Sequence, residues 1–170
     1  MNRGRDRMKH MERVTRSAGE TQKLARVLAK KMLRTLTARA LSHALVVSLE
    51  GNLGSGKTTF TQGFAKGLGI KEKILSPTFV LMKRFHIGHT HVLYHLDCYR
   101  LETSKDIIAI GFRDILKDPS AMVLAEWGDR VKSVFPKHRV TIRFSHTKKP
   151  NERRIRVTQN VIVFGPVVPK

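Results

Sequence analysis

Apolar residues recur at helical spacing in the first third of the chain. They lie four residues apart, with Val27 beside them: Leu24, Leu28, Met32 and Leu36. A Ser-x-x-Glu pattern, Ser17 to Glu20, comes just before them and is typical of a helix N-terminus. The sequence therefore predicts an amphipathic helix that buries this apolar stripe and turns its lysines and arginines toward solvent.

Two short runs farther along the chain, 45–49 and 121–125, are almost continuously apolar. Runs of this kind are typical of strands that are buried on both faces of a parallel sheet. The segments 57–68 and 104–116 have the composition and spacing of helices. These patterns alternate between strand and helix, which is the arrangement expected of an α/β fold.

Further strands are predicted on both sides of these elements. The segments 80–85 and 92–96 are strand candidates separated by a turn rich in Gly and His. Apolar and polar positions alternate in 140–144 and 154–157, which predicts a β-hairpin. The polar face of that hairpin carries three cations: Arg143, Arg154 and Arg156.

Length and composition limit the architecture to one folded unit. The chain has 170 residues, of which 41% are apolar, and this suits a single domain. Residues 1–13 are polar and have no period, so we expect a basic disordered extension followed by one domain over residues 14–170. A single cysteine, Cys98, excludes an internal disulfide framework.

The formal net charge of +20 is unevenly distributed. Residues 1–43 hold 12 basic residues against 3 acidic ones, residues 44–130 hold 11 against 9, and residues 131–170 hold 10 against 1. Basic ends attract polyanions, and RNA is the obvious candidate, whereas DNA is not expected. The apolar runs are too short to cross a bilayer and no secretory signal is evident, which favours a soluble, cytoplasmic protein.

The segment 51–58 carries the candidate chemistry. Its sequence matches G-x-x-x-x-G-K-[ST] and lies between a predicted strand and a predicted helix: Gly51, Asn52, Leu53, Gly54, Ser55, Gly56, Lys57 and Thr58. Glycines allow backbone N–H groups to surround phosphate oxygens, and the following helix directs its N-terminal amides at the same group. Lys57 adds a cation for the β- and γ-phosphates, and the Thr58 hydroxyl can ligate Mg²⁺.

Two acids follow predicted strands, where open α/β sheets place their ligands. Glu126 ends the apolar run 121–125, as in a Walker B pattern, and Asp97 ends the run 92–96. Each is therefore a candidate for the Mg²⁺ and phosphate site. The absence of an Asn-Lys-x-Asp string favours ATP over GTP. Four histidines between 86 and 95 are interpreted as loop residues, and Cys98 as a packed residue.

Four motifs in order resemble the bacterial TsaE (YjeE) family, the small ATPase of tRNA threonylcarbamoyladenosine biosynthesis. They are Gly-Asn-Leu-Gly-Ser-Gly-Lys-Thr-Thr (51–59), Ser-Pro-Thr-Phe (76–79), His-Leu-Asp-Cys-Tyr-Arg (95–100) and Glu-Trp-Gly-Asp (126–129). The resemblance runs from about Thr15 to the terminal hairpin. It implies a three-layer P-loop α/β domain with a mostly parallel central sheet and antiparallel additions.

The resemblance also implies a mechanism and partners. A family member would bind ATP and Mg²⁺, hydrolyse ATP slowly and act with the TsaD and TsaB proteins, which modify adenosine in the anticodon loop of tRNAs that read codons starting with A. The resemblance further implies roles for single residues. Lys57 and the loop through Thr59 would hold phosphates, whereas Thr58 and Glu126 would bind Mg²⁺. Ser76 and Thr78 would form a switch, Asp97 would lie near the γ-phosphate or the attacking water, and Trp127 would support the site. The basic ends depart from the family pattern, and the sequence leaves open whether they contact tRNA or acidic protein faces.

Two other functions remain open from the residues alone. A P-loop small-molecule kinase or other phosphotransferase needs an acceptor pocket and an arginine-bearing lid, and residues 100–118 show no clear lid pattern. An RNA-binding protein with a vestigial nucleotide site is the other alternative. The intact Lys57, Thr58, Glu126 and Asp97 count against it.

Overall fold

The computed structural model describes residues 9–38, 41–75, 81–101 and 103–159. Within these ranges the strands are β1 (Lys9–Thr15), β2 (Leu45–Glu50), β3 (Met82–Ile87), β4 (His91–Asp97), β5 (Ala121–Glu126), β6 (Val140–His146) and β7 (Arg153–Gln159). The helices are α1 (Ala18–Ala38), α2 (Lys57–Gly67), α3 (Ser104–Ala109) and α4 (Phe112–Lys117), with a 3₁₀ turn at Gly128–Val131.

The described strands form one sheet in the order β1-β7-β6-β2-β5-β4-β3. Its centre, β6-β2-β5-β4, is parallel, whereas β1, β7 and β3 pair antiparallel with their neighbours. Every residue of β2 and β5 is buried, as the continuous apolar runs predict. The expected α/β fold, a mostly parallel sheet with antiparallel additions, is confirmed.

The sheet separates two apolar cores, because alternate side chains of a strand point to opposite faces. On β2, Val47 and Leu49 pack with α1 and α2, whereas Val46 packs with α3 and α4. The same alternation places Leu124 of β5 in the first core and Val123 in the second. Helices therefore cover both faces, which gives the three layers expected from the sequence.

Helix α1 begins as its capping pattern predicts. The Ser17 hydroxyl accepts a hydrogen bond from the backbone N–H of Glu20 (3.1 Å), and the Glu20 carboxylate accepts one from the N–H of Arg16 (2.8 Å). The predicted apolar stripe is buried at Leu28, Met32 and Leu36. The expectation for Val27 is wrong, because Val27 is 47% exposed. Val27 precedes Met32 by five positions, which turns its side chain about 140° around the helix from that of Met32.

Helices α1 and α2 are in backbone contact. A Cβ atom on Gly63 of α2 would lie 2.5 Å from the backbone of Gln22, and one on Gly67 would lie 2.7 Å from the carbonyl oxygen of Arg26. The missing side chains allow the two helix axes to approach closely. The helix that follows the glycine loop is thus fixed against the helix that precedes β2.

Two expectations from the sequence need correction. Residues 104–116 form two helices rather than one, because Gly111 adopts a left-handed conformation (φ 79°) and starts α4 as its N-cap. Residues 9–13 belong to β1 and are not a disordered extension, because β1 pairs along its whole length with β7. Residues 1–8 lie outside the described part of the chain.

Strand β1 is also held to the predicted hairpin, which β6 and β7 form. Both carboxylate oxygens of Glu12 are used: Oε2 accepts from Nε and Nη2 of Arg156 at 3.0 and 2.8 Å, and Oε1 lies 3.3 Å from Nε of Arg154. These contacts lower the pKa of Glu12, with the Arg156 hydrogen bond as the largest cause. The arginines of the hairpin face are therefore partly neutralised by an acid from the other end of the chain.

Candidate functional site

The loop at residues 51–56 joins the end of β2 to the start of α2. Gly51 has φ 145°, and a Cβ atom there would lie 2.5 Å from the carbonyl oxygen of Phe144. Gly56 is the N-cap of α2 and has φ 100°. Side chains are thus excluded where the loop passes β6 and where the helix begins. The N-terminal amides of α2 face outward from a glycine turn, an arrangement suited to an anion.

Lys57 is folded back over this loop. Its ammonium group donates hydrogen bonds to the carbonyl oxygens of Gly51 (2.7 Å) and Asn52 (2.9 Å). The same nitrogen lies 3.6 Å from the centroid of the Trp127 ring, within cation–π distance. The residue is only 5% exposed. The cation is therefore pre-positioned beside the loop rather than free in solvent.

Burial lowers the pKa of Lys57 below its usual value. Three carboxylates oppose that shift by favouring the charged form, in decreasing order Glu126, Asp129 and Asp97. The carboxylates offset the charge of Lys57, so a polyphosphate bound here would need a divalent cation to reduce its repulsion from them.

Glu126 is the hub of the site. Its Oε2 accepts a hydrogen bond from the Thr58 hydroxyl (2.8 Å), and its Oε1 accepts one from the Thr61 hydroxyl (2.9 Å). Nε2 of His95 lies 3.1 Å from the same Oε1, and since a carboxylate only accepts, this nitrogen carries the hydrogen. The residue is 2% exposed, so the three donors compensate for burying its charge.

Asp97 lies beside Glu126 at the same edge of the sheet. The two are register partners in the parallel strands β4 and β5. Asp97 is buried, and its Oδ1 accepts a hydrogen bond from the backbone N–H of Tyr99 (3.0 Å). The predicted convergence of two acids at the carboxyl ends of neighbouring strands is therefore observed.

Trp127 directly follows Glu126 in an unusual conformation. Its φ is 59°, a left-handed value that is rare for a bulky residue and is typical of functional sites. Its ring packs against Tyr99, with centroids 5.0 Å apart. The next residue, Gly128, cannot carry a side chain, because a Cβ atom would lie 2.2 Å from the Ser48 hydroxyl. The turn thus holds the tryptophan over Lys57.

Two cavities meet at the loop. The first, of about 400 Å³, is lined by residues 53–59 together with Asp97, Tyr99, Glu126 and Trp127. The second, of about 380 Å³, shares Gly54, Gly56 and Thr59 with it and is closed by Arg16, Asn151 and Arg153, among others. Arg153 also donates a hydrogen bond to the carbonyl oxygen of Gly54 (3.2 Å). The shared loop residues separate an acidic and aromatic cavity from a basic one.

The structure brings most of the predicted site residues together. Residues 53–59, Asp97, Glu126 and Trp127 line the first cavity, whereas Gly51 and Asn52 are not part of its lining. Leu53 is 76% exposed. Ser76 and Thr78, the predicted switch, lie outside the described residues.

Sequence reasoning missed two partners of Glu126. Thr61 is one turn beyond Thr58 on α2, and that i, i+3 spacing is the only local signal. The interpretation of His95 as a loop histidine is wrong: it is fully buried in β4 and contacts Glu126. Its position two residues before Asp97, on the same strand, was the available signal.

The donor set fits a nucleotide with a divalent cation. The Ser55 hydroxyl, inside the loop, is buried and has no hydrogen-bond partner among the described residues. A hydroxyl and a carboxylate, Thr58 and Glu126, lie within hydrogen-bonding distance of each other beside the phosphate loop. Mg²⁺ prefers oxygen ligands of this type and takes the remainder from water and substrate phosphates.

Comparisons with known proteins point to one family. The family model described as "Threonylcarbamoyl adenosine biosynthesis protein TsaE" matches residues 15–155. The chain is 41% identical over 132 residues to the tRNA threonylcarbamoyladenosine biosynthesis protein TsaE of Treponema pallidum, covering 78% of this chain and 89% of that one. It is 38% identical over 112 residues to the TsaE protein of Bacillus subtilis, covering 66% and 68%. The crystal structure of Bacillus subtilis YdiB superimposes with a TM-score of 0.70 and 28% identity over 91% of this chain and 88% of that one.

Proposed function

This chain belongs to the TsaE family, and we propose that it is the Mg²⁺-dependent ATPase of tRNA threonylcarbamoyladenosine biosynthesis. It would hydrolyse ATP slowly in the cytoplasm and act with the TsaD and TsaB proteins, resetting that transferase pair between turnovers. Residues 14–170, preceded in the structure by the rest of β1, would form the ATPase domain.

One observation carries the proposal: the hydroxyl of Thr58 and the carboxylate of Glu126 are 2.8 Å apart, next to the loop that Lys57 spans. A phosphate-binding loop alone would support binding without reaction. A buried carboxylate at the end of the neighbouring strand adds a cation ligand, which phosphoryl transfer requires. This combination supports hydrolysis over passive nucleotide binding.

Different residues of the site would bind the phosphates, bind Mg²⁺ and orient its carboxylate ligand. The backbone amides of residues 51–56 and the ammonium of Lys57 would hold the β- and γ-phosphates, exchanging the present carbonyl contacts of Lys57 for phosphate oxygens. Thr58 and Glu126 would hold Mg²⁺, whose charge, when bound, offsets the negative charge of the phosphates. Thr61 and His95 would fix the orientation of the Glu126 carboxylate, as partners of a metal ligand do.

Asp97 would orient the attacking water. Hydrolysis forms a bond between that water and the γ-phosphorus and breaks the bond to the β,γ-bridging oxygen of ADP, with the proton of the water passing to solvent or phosphate. Asp97 lines the same cavity as Lys57 and Glu126, so it can accept a hydrogen bond from the water. The resemblance implies that Ser76 and Thr78 report the presence of the γ-phosphate.

The nucleoside half of ATP would extend into the second cavity. The triphosphate would lie across Gly54, Gly56 and Thr59, because these residues border both cavities. A nucleotide whose γ-phosphate is near Glu126 therefore points its ribose and base toward Asn151 and Arg153. The basic lining of that cavity suits the α-phosphate.

The test is ATP hydrolysis by the purified protein, alone and with the TsaB–TsaD pair. Lys57→Ala should abolish ATP binding and Glu126→Ala should abolish Mg²⁺-dependent hydrolysis, whereas Lys66→Ala, an exposed lysine at the end of the same helix, should change neither. Stimulation by the pair that is lost in Glu126→Ala supports the proposal. Support of tRNA modification by both site variants at the parental level would refute it.

A further inference from the structure

Helix α1 has a face that carries positive charge alone. We propose that this α1 cationic face, formed by Lys23, Arg26, Lys30, Lys31 and Arg34, binds the phosphate backbone of tRNA. The choice of tRNA rests on the proposed function. The charge pattern itself is a property of the described helix and does not depend on it.

The face is defined by the geometry of the helix. Its residues are exposed, and they lie opposite the stripe that α1 buries against the sheet. From Lys23 to Arg34 the helix rises by about 16 Å, so the cations form a continuous ridge. Within the described residues none of the five makes an ion pair.

The charges on this face are not balanced by acids of the helix. After Glu20, which is engaged in the N-terminal cap, α1 contains no acidic residue. An ordinary solvated helix mixes signs, because Glu and Lys four residues apart stabilise it. Here Arg26, Lys30 and Arg34 follow each other at that spacing with the same sign, which destabilises the helix. A face that weakens its own helix is better explained by a ligand of opposite charge.

Several acids elsewhere in the described chain pair with cations outside α1. Glu12 and Glu50 contact arginines of the hairpin face, Asp114 contacts Lys117, and Glu152 contacts Arg16 and Lys149. The hairpin arginines are therefore partly neutralised within the protein, whereas the α1 cationic face is not. The α1 cationic face, rather than the hairpin, therefore has the free cations that can replace the counterions of a bound polyanion.

The composition of the face favours a nucleic acid over a protein or a membrane. Three of its five cations are lysines, a residue depleted at protein–protein interfaces, and its one apolar residue is Val27. A membrane-binding helix needs an apolar face to insert, and the apolar face of α1 is buried in the core. Point charges in a row, without aromatic residues, suit the phosphates of a folded RNA.

The α1 cationic face is also connected to the nucleotide site by the packing of α1 against α2. The backbone of α1 at Gln22 and Arg26 contacts Gly63 and Gly67 of α2, the helix that begins at Lys57. RNA bound to α1 would therefore contact a helix that packs directly against α2, which carries Lys57 and both threonine partners of Glu126.

The experiment measures binding of a labelled, unmodified tRNA transcript to the full chain between about 50 and 200 mM salt. The test variant carries Lys23→Gln, Lys30→Gln and Arg34→Gln. The matched control removes the same charge from exposed cations in the α3–α4 layer, on the opposite side of the sheet: Lys105→Gln, Arg113→Gln and Lys132→Gln. Circular dichroism confirms that each variant is folded.

In the test variant we expect the slope of log K against log salt to become less negative by about 2 to 3. Its affinity for tRNA at low salt should fall by at least about tenfold, whereas the affinity of the control should change by less than about twofold. Equal losses in both variants would overturn the proposal, since the charge would then act diffusely. So would a wild-type protein that does not bind the transcript.

Two further outcomes identify another occupant and also overturn the proposal. In one, the test variant binds tRNA normally but loses binding to the TsaB–TsaD pair; in the other, it loses binding to phosphatidylglycerol vesicles. Failure of the proposed function is distinguishable, because ATP hydrolysis is measured without RNA: a chain that does not hydrolyse ATP but loses tRNA binding only in the test variant supports the α1 surface and refutes the ATPase.

Discussion

Glu126 accepts a hydrogen bond from the hydroxyl of Thr58 at 2.8 Å, although 68 positions separate the two residues in the sequence. Thr58 lies in the first turn of α2, and Glu126 is the last residue of β5. The parallel pairing of β2 with β5 brings the end of β5 beside the loop that precedes α2. The contact places a hydroxyl and a carboxylate where both can bind one cation.

Thr61→Val should weaken the site without removing a direct ligand. Valine keeps the shape of threonine but withdraws one donor from Glu126 Oε1, so the carboxylate loses part of its orientation. We expect the Mg²⁺ concentration for half-maximal ATP hydrolysis to rise about 10-fold or more. Thr61→Ser, which keeps the hydroxyl, should behave like the wild type. Equal Mg²⁺ dependence in both variants would argue against a positioning role.

His95→Leu tests the second positioning residue. The imidazole is fully buried and compensates the charge of Glu126, so its loss should cost about 1.5–3 kcal/mol of folding free energy as well as Mg²⁺-dependent activity. His95→Gln restores a donor at the end of a side chain. Rescue of the Mg²⁺ dependence by glutamine, read by ATPase titration, distinguishes positioning from packing. A His95→Gln variant with the same Mg²⁺ dependence of ATP hydrolysis as His95→Leu would contradict a positioning role.

These two residues also show where the sequence is informative. The strand, glycine loop and helix of 45–68 are predictable, because each signal is local: a buried apolar run, a spaced glycine motif and a helical period. The roles of His95 and Thr61 depend on the pairing of β4 with β5 and on the angle of α2 to the sheet, and no local pattern encodes either. The predicted switch at Ser76 and Thr78 stays a prediction.

The same distinction explains the errors. Residues 9–13 look featureless, since their strand forms only by pairing with β7, and the contact between Glu12 and Arg156 spans 144 positions. Val27 lies beside the apolar stripe in the sequence, but its side chain points away from the buried face of α1. The break at Gly111 was visible as a glycine, yet a glycine within a helical pattern is compatible with both a kink and a stop.

Gly63→Ala should destabilise the fold through the contact between α1 and α2. The added Cβ would lie 2.5 Å from the backbone of Gln22, so the helices must separate, and we expect a loss of about 1–3 kcal/mol. Gly19→Ala is the matched helical control: its Cβ would meet only the Ser17 hydroxyl at 3.7 Å, and its stability should rise by about 0.5–1 kcal/mol. Urea unfolding measures both. Equal effects in the two variants would contradict the close packing.

Cys98 should be unreactive in the folded protein. Burial raises the pKa of its thiol from 9.0 to about 12, so the thiolate that reacts with disulfide reagents is scarce even at pH 9. Since the unfolded thiol ionises near pH 9 and the folded one does not, the contribution of Cys98 to stability should fall as pH rises from 9 toward 12. Labelling with Ellman's reagent should follow the unfolding rate, with Cys98→Ala as the blank. Fast labelling of folded protein would refute the prediction.

Asn151→Ala tests where the nucleoside lies. Asn151 lines the second cavity and not the first, so its loss should weaken ATP by about 3- to 10-fold, the loss of one side-chain hydrogen bond. Inorganic triphosphate, which lacks a nucleoside, should bind the variant as it binds the wild type. Competition against a fluorescent ATP analogue gives both constants. A parallel loss for triphosphate would place the nucleoside elsewhere.

The pairing of Glu12 with Arg156 and Arg154 has a consequence for how the sheet ends. Arg143 and Arg156 face each other across β6 and β7, so like charges repel within the hairpin, and Glu12 of β1 supplies the counter-charge. A shift of β1 by one residue would put Arg13 in place of Glu12, so the carboxylate fixes the register. Without β1, β7 would still pair with β6, but its outer edge would be unpaired and a strand from another molecule could add to it. A single acid, Glu12, therefore helps to determine which strand ends this side of the sheet.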